Sequence, residues 1–310
     1  MEIFKYNASK RKEWNDFLKL SKNGTFLLNR NFLEYHSEKF KDYSLMFYNN
    51  KTLVALLPLN INDNNLFSHG GLTYGGFIVS RNITTILMLD IFEKLISFLK
   101  ESKIKKLVYK SIPHIYHKIP SEEESYCLFR YKFSLLKREI SSSINMKTTN
   151  ISGKKINGYR RGAKLGLKIN ETSDCSLIIK IINYTLNEKY NTKAVHTADE
   201  LNFLKLKFKN EIKFLNLEIN NEIEGGAILF LANDVVHAQY VTTSKKAKQS
   251  RGLDFIVCYI HEQFRTQFKW FDFGISTEKN GLILNKNLIK SKEEFGLSGI
   301  CYDTYELNIT

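Results

Sequence analysis

The chain has 310 residues, 43% of them hydrophobic and 25% charged, and carries a formal net charge of +14. That length suffices for two ordinary domains or one large one, and the composition is that of a soluble globular protein. No apolar run approaches the roughly 18–20 residues a membrane span needs.

The N-terminus, MEIFKYNASKRKEW, has no apolar core and does not read as a signal peptide, so a cytoplasmic location is expected. WNDFLKL (14–20) suggests a first helix and NRNFLEYHSEKF (29–40) a second. SLMFYNN (44–50) and KTLVALLPLNI (51–61) read as a hairpin turning at Asn49-Asn50, rich in β-branched and aromatic residues. LFSHGGLTYGGFIVS (66–80) holds two Gly-Gly pairs, where backbone can approach another group closely. Residues 83–100 have helical apolar spacing, 105–113 form a strand ending at Pro113, and SYCLFRYKFSLLKREI (125–140) reads as a strand.

The second half repeats this order. Residues 176–191 are helical, and Thr197-Ala-Asp-Glu200 is a capping box opening a helix through Lys209. Residues 212–220 and 223–233 form a hairpin around Asn220-Asn221, with Gly225-Gly226 as a bulge. A strand (236–244), a basic turn, a helix (256–268) and a second strand KWFDFGIS (269–276) follow, and GICYDTYELNIT (299–310) reads as a closing strand. The polar stretch SSSINMKTTNISGKK (141–155) marks the boundary, giving domains 1–148 and 149–310. The four cysteines, Cys127, Cys175, Cys258 and Cys301, are widely spaced without a C-x-x-C pair, so neither disulfides nor a metal site is expected.

Charge is unevenly spread. Between Glu139 and Glu171 there is no acidic residue, while Lys147, Lys154, Lys155, Arg160, Arg161, Lys164 and Lys168 all fall there. Such a run is either a solvated face or the lining of a site for a polyanion or a nucleotide-linked substrate. A non-enzymatic nucleic-acid-binding protein is a third reading of it, but Tyr159 is the one aromatic among residues 147–168 and no stacking platform is apparent. The turn SKKAKQSRGLDF (244–255) suits phosphate, because amides at a helix N-terminus are unsatisfied and partly positive. Lys245, Lys246, Lys248 and Arg251 add charge there, while Asp254 would repel a phosphate.

Gln249-Ser250-Arg251-Gly252 matches the first four positions of the Q/R-x-x-G-x-G/A turn with which GNAT acyltransferases hold the pyrophosphate of coenzyme A. With TFLLNRNFLEYH, HGGLTYGGFIV, NGYRRGAKLGLKI and FDFGIS leading to LNKNLIKSKEEFG, the chain resembles the FemAB-like tandem-GNAT family over most of its length. The resemblance implies an α/β fold of two tandem GNAT-like domains with mixed β-sheets, nonribosomal peptidyltransferase-like. Lacking a coiled-coil insertion, the chain is most similar to bacterial nucleotide-sugar N-acyltransferases of the dTDP-3-amino-3,6-dideoxyhexose 3-hydroxybutanoyl-transferring type. These imply acyl-CoA as co-substrate, a nucleotide-linked amino sugar as acceptor, no metal and no nucleic acid. The alternative within the family is an aminoacyl-tRNA-dependent peptidyltransferase.

Acyl transfer from a thioester to an amine needs a neutral amine, a donor for the developing oxyanion and both substrates held in line. No nucleophile motif is present, and none is required. His69, before Gly70-Gly71, is the expected general base or else a structural histidine, and His237 is a second candidate. Asp272, in FDFG, is expected either in the chemistry or in a salt bridge to a neighbour such as Lys292. The resemblance places Lys292, in K-x-x-F-G, at the acyl-transfer centre as an electrostatic stabiliser. It also implies Asn29, Arg30, Arg160, Arg161 and Tyr240 as contacts of the sugar nucleotide, with Tyr74 stacking on its base or packing in the core. Thr242, Ser244, Lys245, Gln249, Arg251 and Gly252 would hold the coenzyme.

Overall fold

The protein is described here by a computed structural model covering residues 1–309, and these fall into two compact units. The first comprises Met1–Ile140, Thr277–Ile283 and the C-terminal strand from Cys301; the second comprises Ser141–Ser276 and Leu284–Ile300.

In the first unit the helix Arg11–Leu20 buries Trp14 and Leu18, four residues apart on one face. The helix Thr85–Glu101 starts where the Thr84 side chain accepts from the Leu87 amide, and it buries Met88, Ile91, Phe92, Leu95 and Leu99 along one face. That stripe packs with Phe47, Phe77, Leu107 and Tyr109 in one apolar core. One sheet runs in the order Glu2–Lys5, Leu45–Asn49, Thr52–Leu57, Ile78–Val79. In the other, the C-terminal strand lies antiparallel to Lys106–Lys110, with Thr304 opposite Lys110 and Asn308 opposite Lys106. From Cys301 the tail therefore belongs to the first unit. Two local expectations also change. NRNFLEYH forms one helical turn, Arg30–Leu33, followed by a 3-10 turn, and residues 125–130 belong to the helix Glu123–Arg130, with the strand beginning at Ser134.

In the second unit the strands Leu167–Thr172, Ile212–Ile219, Glu222–Ala232 and Val235–Thr243 form an antiparallel run. Trp270–Ile275 then lies parallel to Val235–Thr243 and antiparallel to residues 141–145. The serines that open the polar boundary stretch are thus in a buried strand, with Ser141, Ser142 and Ser143 at most 2% exposed. The helix Gly252–Phe264 places Ile256, Val257 and Ile260 against Leu217, Leu229, Val236 and Phe271. The capping box at Thr197 and Glu200 is formed as expected. The hairpin bulge falls at Glu224, one residue before the glycine pair, since Leu217 pairs with Gly225 and Glu218 with Ile223.

Among the described residues no helix is long and apolar enough to cross a membrane.

Candidate functional site

The site in the second unit is built by a second bulge. Ile228 pairs with Tyr240 and Leu229 with Ala238, so Gln239 is an extra residue in the strand Val235–Thr243. A bulge bends its strand and sharpens the local twist. The ladder to the parallel neighbour accordingly covers only Val235–His237 against Trp270–Asp272, after which the two strands part. Between them opens a cavity of about 640 Å³ lined by Ala238–Thr243 on one side and Phe273 on the other, with Leu253 and Lys248 from the basic turn and Leu288, Ser291 and Lys292 from the helix Lys286–Glu293.

At one end lies the turn. Ser244 caps the short helix Lys245–Gln249, its Oγ accepting from the Ala247 amide. Arg251 then takes a left-handed conformation (φ +65°) and launches the helix Gly252–Phe264 with no side-chain cap among the described residues. The amides of that first turn suit an anion. Asp254 does not oppose one: it is buried, paired with Arg251 (2.6 Å) and Lys155 (3.4 Å), on the side packed against the helix Gly153–Lys164. Gly158 of that helix has no room for a side chain beside this carboxylate. Several expected coenzyme contacts are already engaged, Arg251 by Asp254, Lys245 by Glu188 (3.2 Å) and Ser244 by Glu224 (2.5 Å). Thr242 is buried in the ladder opposite Gly226, while Gln249 is exposed on the short helix.

At the other end, Lys292 is 5% exposed and its ammonium donates to the carbonyls of Gly274 (2.7 Å) and Ile275 (2.9 Å). Burial pushes this ammonium down to about 8, with the negative Asp272 opposing the shift. The basic neighbour paired with Asp272 is His237, while the Lys292 hydrogen bonds go to the two carbonyls. Asp272 is fully buried; Oδ1 accepts from Ser141 Oγ (2.5 Å) and Ser143 Oγ (2.8 Å), and Oδ2 lies 2.7 Å from His237 Nδ1. The two serines come from the polar stretch that marks the domain boundary, and no sequence pattern connects them to Asp272.

The remaining predicted residues separate into two groups. Arg160 and Arg161 are exposed on the helix Gly153–Lys164, and Tyr240 lines the cavity with its hydroxyl 2.9 Å from His196 Nδ1. Those in the first unit serve its own packing. Arg30 is 1% exposed, paired with Glu34 and Asp42 and stacked over Tyr6 and Trp14, so its guanidinium is engaged within the core. Asn29 caps the turn that follows it. Tyr74 is buried, its hydroxyl on Thr25 Oγ1 and its ring 4.7 Å from Tyr116, which leaves no face for a nucleobase. His69 is 4% exposed in a left-handed conformation, and burial pushes its imidazole down to about 4, far below the range that suits a base at neutral pH.

No family profile and no curated protein matches the sequence. Solved structures do. The fold is similar to that of FemX, at 9% identity and a TM-score of 0.69 over 98% of this chain and 97% of that one. It is similar to the C-terminal domain (DUF2156) of a putative lysylphosphatidylglycerol synthetase from Agrobacterium fabrum, at 12% identity and 0.62 over 98% and 92%. A tandem GNAT protein from the clavulanic acid biosynthesis pathway matches at 6% identity and 0.52 over 100% and 98%. The chain thus has the mixed α/β architecture of FemX and tandem GNAT proteins.

Proposed function

We propose that the protein is an N-acyltransferase that takes an acyl thioester of coenzyme A into the cleft of the second unit and passes the acyl group to a primary amine. The observation that carries this reading is the parting of Val235–Thr243 from Trp270–Ile275 at a bulge, with an uncapped helix N-terminus at one end of the resulting cavity and Lys292 at the other. A pantetheine-like arm is long, thin and mixed in polarity, and it suits a slot between two strands whose exposed edges offer amide donors and acceptors. Its phosphate end suits the first turn of Gly252–Phe264. Lys248, exposed and on the cavity wall, supplies positive charge there.

An ammonium has three donors, and two of those of Lys292 go to carbonyls. The third is left for the cavity, where it would stabilise the oxyanion that develops on the thioester carbonyl. For the acceptor, the exposed Arg160 and Arg161 suit the diphosphate of a nucleotide-linked amino sugar, since guanidinium forks bind phosphate oxygens bidentately. An aminoacyl-tRNA-dependent transferase is the second reading, and the FemX-like fold favours it equally. Titration with coenzyme A against titration with an aminoacyl-tRNA, each at two salt concentrations, decides between them, because neutralising many phosphates makes binding steeply salt-dependent.

A further inference from the structure

We propose that His237 takes the proton of the attacking amine and that Asp272 is the residue that positions it, an assignment that rests on the acyl-transfer reading above. His237 and Asp272 are register partners, the last pair before the two strands separate, so they stand at the apex of the cleft. Their chain neighbours Ala238 and Phe273 line the cavity. Oδ1 of Asp272 is taken by the hydroxyls of Ser141 and Ser143, which leaves Oδ2 for the ring of His237 at 2.7 Å. A carboxylate on Nδ1 holds the proton there and leaves the lone pair on Nε2, which fixes both the tautomer and the ring plane.

Asp272 is fully buried, whereas the His237 side chain is 13% exposed. In the proposal the ring edge away from Asp272, which carries Nε2, is the one that meets the amine. Cε1 faces Gly274, where an added Cβ would sit 3.9 Å away, and the Gly274 carbonyl anchors the Lys292 ammonium. A proton acceptor and an oxyanion stabiliser therefore flank one glycine. The serines at the start of the boundary stretch gain a purpose as the support of this carboxylate.

The step balances without a further reactant. The neutral amine nitrogen attacks the thioester carbon, forming the C–N bond and an oxyanion near Lys292. His237 Nε2 takes one proton from that nitrogen. Collapse of the oxyanion breaks the C–S bond, and the leaving thiolate takes the proton back from the imidazolium, leaving an amide and a free thiol.

Two measurements test this. Nitrogen-15 spectra of the histidine-labelled chain at neutral pH, with the His237 signals identified by their loss in His237→Asn, should show Nδ1 protonated and Nε2 bearing the lone pair, and Asp272→Asn should abolish that pattern. A proton on Nε2 in the wild type overturns the proposal. Kinetically, with acetyl-CoA and glucosamine as probes, His237→Asn keeps an amide donor for Asp272 but has no atom at Nε2. It should lower kcat by about 100-fold or more with coenzyme A affinity within twofold of wild type. A kcat above a third of wild type makes the histidine structural and overturns the assignment. Absence of any thioester turnover in the wild type overturns the acyl-transfer reading, and this proton step with it; the tautomer measurement separates that failure from one confined to His237.

Discussion

The Lys292 ammonium donates to the Gly274 carbonyl at 2.7 Å, and Gly274 holds a backbone φ of +77° that turns its peptide toward the lysine. A side chain at 274 would meet nothing nearer than 3.9 Å, so only the backbone conformation demands glycine there. Gly274→Ala should therefore cost about 1–2 kcal/mol of stability, read from urea unfolding, through left-handed strain alone. It should also lower acyl transfer by about tenfold by shifting the lysine anchor. Wild-type stability and activity in this variant would show that the conformation is not needed.

Lys292 gives the activity a pH limit whose sign can be worked out. Burial pushes its ammonium down to about 8 from the ordinary 10.5, so the cation is present below about pH 8 and lost above. If the charged form stabilises the oxyanion, kcat falls as pH rises through about 8, and Lys292→Arg, charged at any such pH, removes the decline. The same shift acts on folding. Between about 8 and 10.5 the unfolded chain binds the proton and the folded chain does not, so this residue makes stability rise with pH in that window. Lys292→Met should abolish that rise, as read by unfolding at pH 7.5 and 9.5.

Gly158 lies against the Asp254–Arg251 pair, where an added Cβ would come 2.9 Å from Asp254 Cγ and 3.1 Å from Arg251 Nε. Gly158→Ala should force the helix Gly153–Lys164 away from the helix Gly252–Phe264 and cost about 1–3 kcal/mol. Weakened coenzyme A binding should accompany the loss, because the turn is built on that contact. An alanine variant as stable as wild type would mean the two helices have slack.

Arg160→Ala should raise KM for the sugar nucleotide at least tenfold while leaving KM for acyl-CoA within twofold. Equal effects on both substrates would remove this arginine from the acceptor site.

The broad architecture was legible because its signals are local. The apolar stripe of Thr85–Glu101, the Thr197 capping box and the Asn220-Asn221 hairpin each fit within a short window. The strand, basic turn, helix and strand that build the cleft were legible for the same reason. What stayed hidden depends on pairing between distant residues. Ser141–Ser143 open the polar stretch that marks the domain boundary in the sequence, yet two of them bond Asp272 some 130 positions away. The bulge at Gln239 leaves no compositional mark, and without it the parting of the strands cannot be foreseen. The roles of Arg30 and Tyr74 came from the family resemblance, whereas each side chain is buried among partners that include other segments. His237 is the second histidine candidate from sequence, and the parallel register that pairs it with Asp272 is not legible there.

The central claim is that the cleft of the second unit holds a coenzyme A thioester. Calorimetric titration of the 310-residue chain with coenzyme A tests it most directly. The expected result is one saturable site, a stability gain of about 2.7 kcal/mol at a hundred times Kd, and affinity at least tenfold weaker in Lys248→Glu. No heat and no stabilisation at millimolar coenzyme A would contradict it, the more so if an aminoacyl-tRNA binds with an affinity that collapses between low and moderate salt.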